Sequence, residues 1–285
     1  MLSVLAASPE QFGVLRSRWR LSDLLTQWRS WLTLHSEGGL SQYLKRLGIR
    51  YKRARDYVHS PDPDYLAKLS WIERCRQHCV SAPGRCVFLY EDEVTYYRQP
   101  SLSYAYARSG RQQPLAMRSL RSNSAFRIAA TLNALTGKVV ALQCKTLNRQ
   151  QFVRFLADVS SAYPDIETIY MVVDNWPLHF HPDVLACLEP QRHLLWPRTL
   201  PANWPTQPTV TPHYTNLPIQ LLSLPTYASW LNPIEKLWRR LKQDILHLHR
   251  HSDDWEQLRQ RIDAWLANFW TGSNELLHYV GLLPN

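Results

Sequence analysis

The sequence predicts a mixed α/β sheet flanked by helices, preceded by a small all-α region of helix-turn-helix, winged-helix-like type. Three observations carry this. Apolar residues recur at helical spacing through residues 1 to about 58. Short apolar runs of strand length begin after Arg85. From Asn148 onward, strands alternate with helices, which is the order of a mixed sheet covered by helices.

In the first region, Leu21, Leu24, Leu25, Trp28, Trp31 and Leu32 form one stripe, with Ser22 as a candidate N-cap. Ser36-Glu37-Gly38-Gly39 breaks the pattern, and Leu40, Tyr43, Leu44 and Leu47 form a second stripe ended by Gly48. Helix, glycine-containing turn and helix is the helix-turn-helix pattern. A basic tail follows, and then His59-Ser60-Pro61-Asp62-Pro63-Asp64, which reads as a linker or sharp turn. The expected division is therefore 1–60 as a DNA-binding region with a basic arm and 61–285 as a second domain.

In the second region, residues 65–80 read as a helix. The run 86–90 reads as a buried strand that leads into Glu91-Asp92-Glu93. Residues 96–98 and 104–108 read as further short strands, and 126–132 with 139–144 as a hairpin about Thr136-Gly137. Asn148 suits the cap of a helix through Phe152, Phe155, Leu156 and Val159. Residues 169–173 form a second core strand ending at Asp174, and 219–224 a third. Helices are expected at about 233–248 and 254–270. Eight of the nineteen prolines fall between positions 190 and 225, so about 190–218 reads as a proline-ordered insertion.

Composition narrows the function. Lys plus Arg is 33 against 23 for Asp plus Glu, a net charge of +10 over 285 residues. That balance favours a polyanionic partner, nucleic acid before an anionic membrane. A hydrophobic content of 45% excludes wholesale disorder, and nine glycines exclude a collagen repeat. No apolar run approaches the roughly 18 residues of a membrane span, and the first seven residues lack the basic start of a signal peptide. Five cysteines, an odd number, fit reduced thiols in a cytoplasm better than a disulfide framework.

Three carboxylates occupy special places. Asp92 follows one buried strand, Asp174 ends another, and Glu235 opens a helix in Asn232-Pro233-Ile234-Glu235. Acids at strand ends gather at one edge of a sheet, and a cluster of them repels itself unless a cation neutralises it. Such hard oxygen ligands suit Mg²⁺ or Mn²⁺, and two ions about 4 Å apart can promote phosphoryl transfer. The competing reading makes each Asp a turn former, and Glu235 the partner of an Asn232 N-cap in a capping box.

The stretch from Leu224 to Glu235, followed by Trp238, resembles the signature of mariner-type DDE transposases and their bacterial insertion-sequence relatives. Asp174-Asn175 matches that family's second acid, and Asp92-Glu93 its first. Gly110-Arg111-Gln112-Gln113-Pro114 resembles a Gly-x-x-x-Pro element that follows the first acid. The likeness runs from about residue 15 to 270. It implies a ribonuclease H-like catalytic domain in which Asp92, Asp174 and Glu235 hold two Mg²⁺, with Mn²⁺ as a substitute. It implies cutting at the terminal inverted repeats of an element, and attack of the freed 3′-OH on target DNA. A homodimer and a cytoplasmic, nucleoid-associated location follow from the same resemblance. It selects Asp92 over Glu91 and Glu93, and strand alternation puts residue 92 on the face opposite both.

The chain departs from the pattern in two places. Sixty residues separate Asp174 from Glu235, more than the family's usual spacing, which the proline-rich insertion explains. Relatives commonly carry two helix-turn-helix units, and only the second has a counterpart here. Two alternatives stand beside the transposase: a truncated or repurposed DNA-binding protein that does not cut, and a stand-alone metal-dependent nuclease.

Lys45, Arg46, Arg50, Lys52, Arg53 and Arg55 form a basic run at the end of the second helix and into the arm. They are the expected phosphate contacts, against the alternative of a solvated helix end. Arg118, Arg121, Arg127 and Lys145 are candidates for a DNA path near the hairpin, and His179 and His181 for contact with the site or DNA.

Overall fold

The apolar runs of the second region assemble into one sheet of five strands: β1 (Cys86–Tyr97), β2 (Ala125–Asn133), β3 (Val139–Cys144), β4 (Thr168–Val173) and β5 (Ile219–Ser223). The order is β3-β2-β1-β4-β5. The first three strands pair antiparallel, whereas β1–β4 and β4–β5 are parallel. The computed structural model describes residues 2–30, 32–52, 59–192 and 194–283. It falls into two compact units, 1–58 and 59–285.

In the first unit, α1 (Leu2–Ala6), α2 (Leu21–Trp28) and α3 (Glu37–Arg46) gather Leu24, Trp28, Leu40 and Leu44 into a small core. Two details differ from the sequence reading. Ser22 lies inside the first turn of α2, because Arg20 takes the cap position and its amide donates to Asp23 Oδ2 at 3.2 Å. Gly38 and Gly39 do not break a helix. They lie in the first turn of α3, where Ser36 Oγ accepts the Gly39 amide at 3.1 Å. The cap satisfies an amide that no helical carbonyl can reach, which offsets the poor helix propensity of glycine. Trp31, part of the expected stripe, lies outside the described residues.

In the second unit, α4 (Tyr65–Ser81), α5 (Arg149–Ser161), α6 (Pro182–Leu185), α7 (Ile234–Leu241), α8 (Trp255–Ala267) and α9 (Asn274–Val280) flank the sheet. Alternation sorts the strand side chains to two faces. Phe88, Tyr90, Val172 and Leu222 meet α4, α7, α8 and α9 on one face. Leu89, Met171, Val173 and Leu221 meet α5 and the segment around α6 on the other.

Asn148 caps α5 as its sequence suggested, accepting the Gln151 amide at 3.0 Å. The β2–β3 hairpin turns at Gly137, where φ is +72° and the Ser273 backbone approaches too closely for any Cβ. The segment 104–108, expected as a strand, is irregular, with Tyr104 and Tyr106 fully exposed. Its side chains have no sheet neighbour to pack against, whereas 96–97 belong to the long β1. The helix expected over 233–248 is α7 followed by a π-turn at Lys242–Leu246, and α9 was not anticipated.

The described residues of 190–216 form no helix or strand. Thr209 Oγ1 ties them to Asp183 Oδ2 at 2.8 Å, and Trp204 packs on the His181 ring. All five cysteines are buried and unpaired with one another. Among the described residues no helix is long and apolar enough to cross a membrane.

Candidate active site

The site forms where β1 outruns its neighbour. Parallel pairing with β4 ends at Tyr90↔Val172, while pairing with β2 continues to Tyr97. Asp92 therefore lies two residues beyond the last β4 partner. Asp174, the first residue after β4, likewise lies two residues beyond that last pair, Tyr90↔Val172.

Helix α7 docks at this point. The Asn232 side-chain amide donates to the Glu91 carbonyl at 2.8 Å, and the Trp238 indole donates to Asp92 Oδ2 at 2.9 Å. This corrects the capping reading. Asn232 does not cap the helix. Pro233 occupies the cap position, and Asn232 is spent on β1. The Glu235 carboxylate is thereby free of a capping box and lines a cavity of about 370 Å³ with Asp92, Glu93, Val94, Trp238, Arg239 and Lys242. The alternation argument put Glu93 on the opposite face. It also borders the cavity, at the rim where β1 has lost its β4 neighbour.

The electrostatics are those of crowded acids. Burial, followed by the negative charge of Glu235, pushes the Asp92 carboxyl up to about 7, against the pull of the Glu93 amide and the Trp238 indole. Arg239 and Lys242 place cations on the same wall.

Asp174 is engaged differently. Its Oδ1 accepts the Trp176 amide at 2.7 Å and lies 3.3 Å from His179 Nδ1, while the side chain stays half exposed. Asn175 Nδ2 donates to the Leu224 carbonyl at 2.9 Å and fastens this strand end to the end of β5. The structure thus brings Asp92 and Glu235 into one cavity and leaves Asp174 at the adjoining strand end, turned toward His179.

His179, a sequence candidate for contact with the site, belongs to a buried group on the other side of β1 whose partners the sequence did not indicate. His179 is fully buried, with Nε2 3.0 Å from Glu93 Oε1 and 3.6 Å from Glu91 Oε2. Burial opposes a proton on this ring, but the bond to Glu93 and the charges of Glu93 and Asp174 raise its pKa overall. Glu91 and Glu93 had entered only as competitors of Asp92. Their i, i+2 spacing on one strand face was the available signal. Of the expected DNA contacts, Lys45, Arg46, Arg50 and Lys52 are exposed on the first unit, while Arg53 and Arg55 lie outside the described residues.

Crowded carboxylates where β4 ends beside the continuing β1, with a third acid on a helix docked against them, define a ribonuclease H-like acidic site. Residues 87–259 match the profile of the DDE superfamily endonucleases, and on that span, more than half its length, the chain belongs to this family. It is 25% identical over 255 residues to the Insertion element IS630 uncharacterized 39 kDa protein of Shigella sonnei. That alignment covers 89% of this chain, and the chain spans 65% of that relative.

The Mos1 mariner paired end complex with Mn is similar at a TM-score of 0.59 and 17% identity, covering 99% of this chain and 75% of that one. The Mos1 paired-end complex with the left transposon end gives 0.57 and 17%, over 95% and 77%. At these identities the likeness shows the fold, which is ribonuclease H-like.

Proposed function

We propose that this chain is a DNA transposase that cuts at the terminal inverted repeats of its own element and joins the 3′-OH ends to target DNA. The observation that carries the reading is the meeting of Asp92 and Glu235 in one cavity, with Trp238 bonded to Asp92, inside the span that matches the endonuclease family.

The donor set fits divalent metal. A buried Asp92 driven up to about 7 by burial and by Glu235 is a pair of acids that a cation would relieve. Asp92, Asp174 and Glu235 would hold two Mg²⁺, or Mn²⁺ in their place. Bound there, the ions would supply charge neutralisation and Lewis acidity toward a phosphodiester.

The remaining roles belong to the chain itself. Trp238 holds the Asp92 carboxylate in one orientation. Trp176 and His179 hold Asp174. Arg239 and Lys242 offer cations to the phosphates on either side of the scissile one. No covalent protein nucleophile is required, because in-line displacement at phosphorus serves both cutting and joining. Lys45, Arg46, Arg50, Lys52, Arg53 and Arg55 would bind the duplex, and two chains would act together on two ends. The location would be cytoplasmic, on the nucleoid.

A second reading, a DNA-binding relative that no longer cuts, is favoured by the engagement of Asp174 with His179. A plasmid carrying the gene's own flanking sequences, incubated with Mg²⁺ or Mn²⁺, separates the two. Cleavage at the flanks by the wild type and none by Asp174→Asn supports the transposase. Binding without cleavage by the wild type overturns it.

A further inference from the structure

Glu91 is the anomaly of the sheet. It is completely buried on the face of β1 away from Glu235, and neither carboxylate oxygen has a hydrogen-bond partner among the described residues. Beside it stand Glu93 and His179, and one donor atom from each of the three lies within 4.8 Å of the others. Aromatic rings close the surroundings: the Phe152 ring centroid lies 4.8 Å from the imidazole centroid, tilted by 31°, and Trp176 meets it edge-on at 5.5 Å.

A proton on His179 alone does not satisfy this arrangement. A hydrogen on His179 Nε2 makes one good bond, to Glu93 at 3.0 Å. Glu91 Oε2, at 3.6 Å, is beyond hydrogen-bond length and stays orphaned. A buried carboxylate without a partner is strongly disfavoured. A divalent cation satisfies all three groups at once, because two carboxylates balance its charge and the imidazole adds a nitrogen donor. His179 would then carry its proton on Nδ1, which faces the Asp174 carboxylate at 3.3 Å and the Asp174 carbonyl at 3.5 Å. A ligating histidine that donates its other N–H to a carboxylate is a recurrent feature of metal sites. The two Nε2–O separations, 3.0 and 3.6 Å, bracket the edge of a tetrahedron built on zinc bonds of about 2.0–2.1 Å, roughly 3.3 Å. The nitrogen donor favours zinc over magnesium.

We propose that Glu91, Glu93 and His179 form a second metal site, for zinc, centred on the face of β1 opposite Glu235 with Glu93 bordering both, and that the bound ion fixes Asp174 through His179 Nδ1–H. The site depends on no cleavage activity, so its test is independent of the transposase reading.

The full chain carrying Asp92→Asn and Glu235→Gln lacks two of the three acids that line the cavity and keeps Glu93 with the other two ligands proposed here. Stripped with a chelator, it is titrated with Zn²⁺ against a chromophoric competitor, and the zinc shell is read by X-ray absorption. The expected result is one zinc per chain, bound by one imidazole and oxygens without sulfur. In that background His179→Gln should abolish the imidazole signature, and Glu91→Gln should weaken binding about tenfold or more. Glu91→Gln removes a buried charge and keeps its shape, so without zinc it should melt no lower than its parent, which separates ligand loss from misfolding. No bound zinc, unchanged affinity in Glu91→Gln, or sulfur in the shell would each overturn the site.

Discussion

Trp238 lies one helical turn beyond Glu235 and donates its indole N–H to Asp92 Oδ2 at 2.9 Å. The i, i+3 spacing puts the bond donor and the third acid on one face of α7. One helix therefore delivers both the charge that raises the Asp92 pKa and the bond that lowers it. Trp238→Phe keeps the apolar packing and removes only the bond. Hydrogen bonds to charged groups are worth about 1.5–3 kcal/mol, so the Mn²⁺ concentration for half-maximal cleavage should rise about tenfold or more. End-DNA affinity, measured by anisotropy, should not change. An unchanged metal requirement would remove Trp238 from the site.

The crowding of Asp92 also sets a pH dependence for the metal-free protein. Its carboxyl lies at about 7 in the folded chain against 3.8 as the ordinary value. The folded state therefore binds this proton more tightly than the unfolded state. Stability is highest below about pH 4, falls as pH rises toward 7, and is flat above that as far as this group is concerned. The penalty is at most about 4 kcal/mol. Asp92→Asn should raise the melting temperature by several degrees at pH 7.5 and leave it nearly unchanged at pH 4. Excess Mn²⁺ should narrow the difference at pH 7.5 by stabilising the wild type. Equal melting of the two proteins at pH 7.5 without metal would refute the crowding.

Residues 86–90, 169–173 and 219–224 were legible because each is a short, mostly apolar run covered on both sides by helices, a pattern few other structures produce. Asp92 and Asp174 stand out in the sequence because they follow such runs, and Glu235 because it sits in a specific motif. Asn232 was misread because an Asn before Pro has two uses, and local sequence cannot tell a helix cap from a bond to Glu91, 141 residues away. His179 and Glu91 were not legible as partners for the same reason. Their meeting depends on β4 ending where β1 continues. The segment 104–108 misled because its alternating tyrosines imitate a strand, and alternation alone does not supply a sheet partner.

The segment at 59–64 read as a linker, yet part of it is structural. Asp62 is buried and accepts Lys68 Nζ at 2.7 Å and the Thr226 amide at 2.8 Å, and Ser60 Oγ donates to the Thr226 carbonyl at 2.6 Å. These bonds fasten the approach to α4 onto the loop that precedes Glu235. Burial raises the Asp62 pKa, but the Lys68 bond and the Thr226 and Asp64 amides outweigh it and hold the carboxyl at about 2. The contribution is present above about pH 4 and is lost as pH falls toward 2. Asp62→Ala leaves Lys68 buried and unpaired, so it should cost about 3 kcal/mol or more at pH 7. Urea unfolding followed by tryptophan fluorescence reads this directly, and a loss below about 1 kcal/mol would show that the latch carries no weight.

The basic run of the first unit makes a prediction separable from all of these. Lys45, Arg46, Arg50 and Lys52 are exposed at and beyond the end of α3. If each neutralises a phosphate, its removal should lower the slope of log affinity against log salt by about 0.9. Alanine at all four should therefore flatten the slope by roughly 3–4 and weaken binding to any duplex, end sequence or not. Thermal stability should be untouched, because none of the four belongs to the Leu24, Trp28, Leu40 and Leu44 core. A quadruple variant whose salt slope equals that of the wild type would place the DNA on another surface. Arg118, Arg121, Arg127 and Lys145 would then be the next residues to replace.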